Sequence, residues 1–325
     1  MKHLGIDIAK RKFDVALIID GKYRTHVFDN NVTGHRQLLA WLAKHDAMQA
    51  HSCMEATGEY GVALATFLHD EGLTVSLVNP AQIKGFAQSE LARTKTDKAD
   101  AKLIARFCRA HTPPAWRPPL PEIRELQALA RRLDALNEML RMEANRLESA
   151  ADVVVPSIVQ VSEQLEQQIK TVQEKISQHI NRHPNLRGKR DLLDSIPGIG
   201  QATITQILTF ATSQAFTCAK QVAAFLGLNP RHHQSGSSVH AKARLSKTGD
   251  SRLRTAFYMP AIVAMRYNPV IKSFSQRLLA AGKPKMLVVG ACMRKLAHIV
   301  FGVLKSGVPF DPKLAMMGSE IESEA

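Results

Sequence analysis

The sequence predicts an α/β domain followed by a mostly helical remainder, an α/β plus α chain, and three observations carry that reading. Apolar residues alternate at period two from residue 3 to 29, Leu recurs every seventh position from 126, and beyond residue 184 the chain reads as Gly-punctuated helix. At 325 residues, about two domains are expected, and 45% apolar with 22% charged residues is a globular rather than a fibrous or disordered composition.

Leu4, Ile6 and Ile8, then Phe13, Val15 and Leu17, then Tyr23 to Phe28 alternate in three runs, with a turn at Asp20-Gly21, and so predict three antiparallel strands. An amphipathic helix from about Thr33 to Lys44 follows. After it come a strand from His51 to Glu55, a helix from about Glu59 to Asp70, and a strand from Leu73 to Asn79 ended by Pro80. The order βββαβαβ implies a mixed sheet with helices on its faces. A basic helix from Arg93 to Ala110 stops at the Pro-rich segment 112–121, which puts the first domain at 1–115.

Residues 116–185 predict an antiparallel coiled-coil hairpin. Leu126, Leu133, Leu140 and Leu147 alternate with Ala130, Asn137 and Ala144 at heptad spacing, and a buried Asn137 is expected to fix the register. After a break at 153–156, a second set runs through Ile158, Val161, Leu165, Ile169, Val172 and Ile176. A heptad is first a packing device, and it does not tell whether its partner is the second helix or another subunit. Residues 186–310 form a mostly helical third domain, and the acidic segment 311–325 is expected to be a disordered tail.

Charge is segregated. Lys and Arg number 43 against 29 Asp and Glu, a net charge of +14. From Ala219 to Ser306 fifteen Lys or Arg face a single acid, Asp250, so this segment carries the whole excess. A polyanion is the natural partner, because Lys and Arg release counterions condensed on phosphates. A solvated basic surface is the blander account, but solubility does not require the excess in one segment. Cys53, Cys108, Cys218 and Cys292 form no Cys-x-x-Cys pair and no zinc-ligand spacing with any His, so neither a structural zinc nor a disulfide framework is expected. No signal-peptide pattern opens the chain, and Arg294 and Lys295 break its longest apolar run, so a cytoplasmic protein without a membrane partner is expected.

Four carboxylates stand out by position. Asp7 interrupts an apolar strand, Glu55 ends the fourth strand, and Asp97 and Asp100 lie three apart on one helical face. Singly, each could be an ordinary acid or an ion-pair partner, and Glu59 could replace Glu55. Together, in that order, they match how the ribonuclease H architecture gathers two hard cations for in-line phosphoryl transfer. The string SIPGIGQATITQIL at 195–208 reads as a helix-hairpin-helix turn whose Gly198 and Gly200 let a phosphate approach, or else as a plain packing unit. In segment 230–254, Ser235, Ser237, Ser238 and Ser246 lie among Arg231, Lys242, Arg244, Lys247, Arg252 and Arg254. It reads as a flexible phosphate-binding loop, or as one carrying a hydroxyl nucleophile for a phosphodiester. Chemistry alone does not choose among the four serines.

The strings GIDIAK, MEATGEY, RTKTDKADA, SIPGIG, RHHQSGSSV and LSKTGD together resemble, over nearly the whole chain, the DEDD transposases of bacterial insertion sequences, related to Piv-type DNA invertases. Among these, the chain looks most like the bridge-RNA-guided recombinases. The resemblance implies a RuvC-like domain with its metal-binding tetrad on Asp7, Glu55, Asp97 and Asp100, and a transposase domain with its nucleophile on Ser235. It implies Mg2+, replaceable by Mn2+. It also implies donor and target DNA, a noncoding bridge RNA, and a dimer or tetramer working at the nucleoid. Absence of a Walker-type loop fits rejoining without ATP. Three other readings compete: a Holliday-junction-type endonuclease using activated water, a sugar-kinase-like or actin-like ATPase, and a non-enzymatic nucleic-acid scaffold. The ATPase would need a Gly-rich phosphate loop that does not follow Asp7.

Overall fold

The computed structural model describes residues 2–56, 58–91, 96–211, 216–235 and 239–313, with side chains for all of these except 58, 59 and 232–243. The chain divides into two units, Met1–Pro118 and Pro119–Ala325. The hairpin anticipated as a separate body at 116–185 therefore belongs with the helical remainder. The acidic tail from 314 lies outside the described residues.

In the first unit β1 (His3–Ile8), β2 (Lys12–Ile19) and β3 (Lys22–Asp29) form an antiparallel meander. Asp20 and Gly21, both at positive φ, make the two-residue turn between β2 and β3, where the right-handed strand twist favours such a pair. Helix α1 (Val32–Lys44), capped by Asn31, leads to β4 (His51–Glu55), which adds parallel to β1. A 3-10 turn (Gly58–Gly61) and α2 (Val62–Asp70) return the chain to β5 (Val75–Val78), parallel to β4. The sheet order is β3-β2-β1-β4-β5.

Two further helices complete the unit. Asn79 caps α3 (Pro80–Ser89), with Pro80 in the first turn, and Thr96 caps α4 (Asp97–His111). Helix α3 was not anticipated: Pro80 ends a strand in the sequence, but it also suits the first turn of a helix. Leu4, Ile6, Phe13, Val15 and Leu17 bury one sheet face against Leu38, Leu42, Leu64 and Leu68. The opposite face, with Ala16 and Ile18, packs on Ala101 and Ala105 of α4.

The second unit opens with two long helices, α5 (Pro121–Leu147) and α6 (Val155–Arg182), packed on each other. Burial is concentrated at their base, where Ile123, Leu126, Leu136, Ile169, Val172, Ile176 and Ile180 share one core with the helices that follow. Leu133 and Leu140 are only half-buried. Asn137, expected to be buried, is exposed and donates to the Leu133 carbonyl at 2.9 Å, so it does not set register against α6. Leu147 is exposed as well.

Beyond the hairpin run α7 (Pro184–Asp194), α8 (Gln201–Ala211), α9 (Ala219–Phe225), α10 (Ser251–Ala256), α11 (Tyr258–Tyr267), α12 (Pro269–Ala280) and α13 (Lys285–Ser306). Helix α13 is long and apolar enough to cross a membrane, but Val288, Cys292, Leu296, Val300 and Val303 lie in the core of the unit. Between α9 and α10 lies an antiparallel pair, β6 (Pro230–Ser235) and β7 (Val239–Leu245). Residues 230–235 and 239–245 of the segment read as a flexible loop are therefore paired strands.

Candidate active site

The first unit gathers its carboxylates by stacking α4 directly on β1. A Cβ placed on Gly5 would overlap the Ala101 carbonyl oxygen and the Ala105 amide nitrogen, so only glycine lets the helix backbone reach the strand. Asp7, two residues on, points to the same face of the sheet, because side chains alternate along a strand. The first turn of α4, with Asp97 and Asp100, thus comes down beside it. Both acids also sit where the helix N-terminus favours negative charge. Glu55 arrives from the adjacent parallel strand β4.

Asp7, Glu55 and Asp100 line one cavity of about 680 Å3, closed on its other side by α3 and α4. Lys84, Lys102 and Arg106 line the same cavity. Its chemistry is therefore mixed, with acids from β1, β4 and the first turn of α4, and cations from α3 and α4. Arg106 pairs with Glu90 at 2.6 Å, and Lys102 lies 5.3 Å from the centre of the Tyr23 ring. These three cations were missed in the sequence, where attention fell on the basic half of the chain.

The half-buried Asp7 carboxyl is pushed up to about 6 by burial first, then by the charges of Asp100, Asp97, Asp14 and Glu55. Asp14 is a further acid that sequence reasoning passed over. It pairs directly opposite Asp7 across β1 and β2 and is buried. Its signal was available, since Asp14 interrupts FDVAL as Asp7 interrupts GIDIA. Lys12, one strand position pair away, donates to Asp97 at 2.8 Å and reaches Asp14 at 3.4 Å. That ammonium holds the Asp97 carboxyl below its usual range. Asp97 is exposed and is not among the residues lining the cavity.

The donor set fits a hard divalent ion, since every acid offers only carboxylate oxygen. Asp7, crowded by like charges, gains from a dication. Yet among the described residues no three His, Cys, Asp or Glu side chains stand close enough to make a ready metal cage. The acids are brought to one place without being closed around a centre.

In the second unit, the turn between α7 and α8 carries Gly198 at φ +103°. A Cβ there would lie 2.9 Å from the Cα of Ala264, and Asn268 donates to the Pro197 carbonyl at 3.3 Å. Packing against α11 thus accounts for Gly198, whereas Gly200 faces open space. Ser235 ends β6 and pairs with Val239. Its side chain and that of Lys242 lie outside the described residues, as do 236–238 altogether. Arg231 stands opposite Arg244 across β6 and β7, both exposed. Exposed too is Lys247. Two of the arginines expected at phosphates serve the fold: Arg252 pairs with Asp134 at 3.0 Å, and Arg254 donates to the carbonyls of Leu226 and Lys247 at 3.3 Å.

Residues 4–156 match a family described as Transposase, the DEDD type, and residues 190–276 match the Transposase IS116/IS110/IS902 family. The chain is 35% identical over 317 residues to the pilin gene-inverting protein of Moraxella bovis, covering 96% of this chain and 98% of that protein. It is 25% identical to a probable family 20 transposase of Pseudomonas aeruginosa, across 96% of this chain and 99% of the relative. A protein of insertion element IS110 from Streptomyces coelicolor shares 25% identity over half of this chain and 39% of its own length.

Proposed function

The chain belongs to the IS110 family of transposases, and from that premise we propose that it cuts and rejoins DNA through a serine-linked intermediate at a divalent-metal site. The observation that carries this reading is the meeting of Asp7, Glu55 and Asp100 in one cavity with Lys84, Lys102 and Arg106. Acids that hold cations and bases that hold phosphate are what a phosphodiester backbone needs on entry. Glu55, Asp7 and Asp100, with Asp97 once freed, are the ligands. Mg2+ bound there, or Mn2+ in its place, supplies charge stabilisation to the attacking and leaving oxygens.

The nucleophile is Ser235. Its Oγ forms a bond to phosphorus, its proton leaves to a base, and the bond to the leaving deoxyribose oxygen breaks to free a hydroxyl. The bond energy is kept in the phosphoserine, so reversal of the same step on another strand rejoins DNA without ATP. Arg231, Arg244 and Lys247, exposed around β6 and β7, bind phosphate, as does Lys242. Gly200 opens α8 to a further phosphate contact. The pilin gene-inverting relative supports the recombinase outcome. A noncoding bridge RNA supplies sequence choice by pairing with donor and target, and a dimer or tetramer completes the reaction. A protein acting on DNA in this way works in the cytoplasm, at the nucleoid.

Peptide mass spectrometry of the complex trapped on a nicked substrate tests the mechanism. A nucleotide mass on the peptide containing Ser235, absent in Ser235→Ala, is expected. Cleavage by Ser235→Ala at the wild-type rate with free ends would mean that water attacks and that the chain is a nuclease. Sequencing nucleic acid that copurifies tests the guide, with a discrete noncoding RNA expected.

A further inference from the structure

Lys12 is a cation set among metal-ligand candidates, and the proposed reaction gives it no task. It projects from the first residue of β2, where its ammonium bridges Asp97 of α4 and Asp14 of the sheet. The three cavity acids are Asp7, Glu55 and Asp100, whereas Asp97 is turned to the lysine. Asp97 and Asp100 of α4 set against Asp7 and Asp14 of the sheet tend to push α4 from β1, because like charges at short range repel. One ammonium placed on the outermost acid relieves part of that repulsion.

We infer that Lys12 is a resident counter-cation at the edge of the acidic site: it holds Asp97 aside in the metal-free chain, and a divalent ion must displace it to gain its fourth carboxylate. This rests on the metal-site reading above. It assigns Lys12 as a positioning residue that acts through Asp97 and sets how tightly the site takes its ion. The exchange has a physical basis. A lysine ammonium is a strongly hydrated point charge on a flexible stem, so it leaves a half-exposed carboxylate at little cost. Its side chain is 48% exposed, which gives the ammonium room to move. A dication then brings two charges to Asp97 where the lysine brought one.

The test is Mn2+ binding to the full chain free of nucleic acid, read by the electron paramagnetic resonance of free Mn2+, so that no turnover is needed. Lys12→Met removes the competing charge and is expected to tighten binding about three- to tenfold, the range for one unit charge roughly 6–13 Å from a dication at the dielectric of water. Lys12→Arg keeps a cation and stays within about twofold of wild type, on the same reasoning. In an Asp97→Asn background the gain from Lys12→Met shrinks by at least half.

Lys12→Met binding no tighter than wild type would overturn the proposal. So would equal tightening in Lys12→Arg, or an undiminished gain with Asn at 97. Asp7→Asn separates the two readings. If it loses Mn2+ while Lys12→Met gains nothing, the metal site stands and the lysine proposal falls. If wild type binds no Mn2+, or Asp7→Asn binds it as well as wild type, both fall. The Lys12 side chain is half-exposed, and thermal melting checks that each variant is folded.

Discussion

Asp7 is placed where a carboxylate costs stability, since burial and four neighbouring acids oppose its charge. Its folded-state value of about 6 lies above the ordinary 3.8. The folded chain is therefore favoured at low pH, and that contribution is lost as pH rises through about 6. Asp7→Asn is expected to raise the melting temperature of the metal-free chain at pH 7.5 while abolishing recombination. The gain is at most about 3 kcal/mol, and nearer 1 kcal/mol once the partial exposure of Asp7 is allowed for. It should shrink towards zero at pH 4, and thermal melting at the two pH values reads it. Gly5→Ala is expected to do the reverse, costing about 1–3 kcal/mol by overpacking and forcing α4 away from Asp7. Denaturant unfolding with a recombination assay checks both effects. At this scale Asp7 stands out as an interruption of strand alternation, Glu55 as a strand end, and Asp97 with Asp100 by their helical spacing, and of these Asp7, Glu55 and Asp100 line one cavity. Asp14 carries the same kind of signal in FDVAL and was passed over, whereas the part played by Lys12 depends on a strand pairing and a helix position that the linear chain does not display.

Among the elements, α4 carries two acids in its first turn, so its N-terminus matters beyond stability. The Thr96 hydroxyl accepts from the Ala99 amide at 3.2 Å. Thr96→Ala is expected to cost about 1 kcal/mol and to weaken Mn2+ binding, which calorimetry reads, because fraying displaces Asp97 and Asp100. The α5 and α6 hairpin divides into a buried base and an exposed end. Leu126→Ala at the base is expected to cost about 2–5 kcal/mol, whereas Leu147→Ala, 42% exposed, stays within about 0.5 kcal/mol. Equal losses in urea unfolding would mean that the whole heptad stripe is buried. Strand alternation made the meander readable, and heptad spacing the two long helices. Periodicity did not convey where burial stops, since Leu140 and Leu147 occupy the same heptad place as Leu126. The β6 and β7 pair was also readable in principle: Val239, Ala241, Ala243 and Leu245 alternate with His240, Lys242 and Arg244. Ser-Gly-Ser-Ser beside them drew the eye to a loop instead.

At the scale of the molecule, the whole excess of positive charge lies within 219–306, while the acids proposed to hold metal lie in the other unit. A segment so rich in Lys and Arg offers its cations to the phosphates of a nucleic acid. Not every arginine in the basic half serves that end. Arg252 and Arg254 are engaged with Asp134 and with backbone carbonyls, so their loss would confound binding with folding. Arg231 and Arg244 make a cleaner test. They stand opposite one another on neighbouring strands, exposed, where like charges repel each other. A bound phosphate turns that repulsion into two charge-assisted contacts. Arg231→Ser with Arg244→Ser is therefore expected to leave the melting temperature unchanged or raised, while weakening DNA binding. The slope of log affinity against log salt should fall by about 1.8, two contacts at about 0.9 each for duplex DNA. Fluorescence anisotropy between about 50 and 200 mM salt measures it. An unchanged slope with unchanged melting would remove β6 and β7 from the path of the nucleic acid, and with them the case for a nucleophile at Ser235.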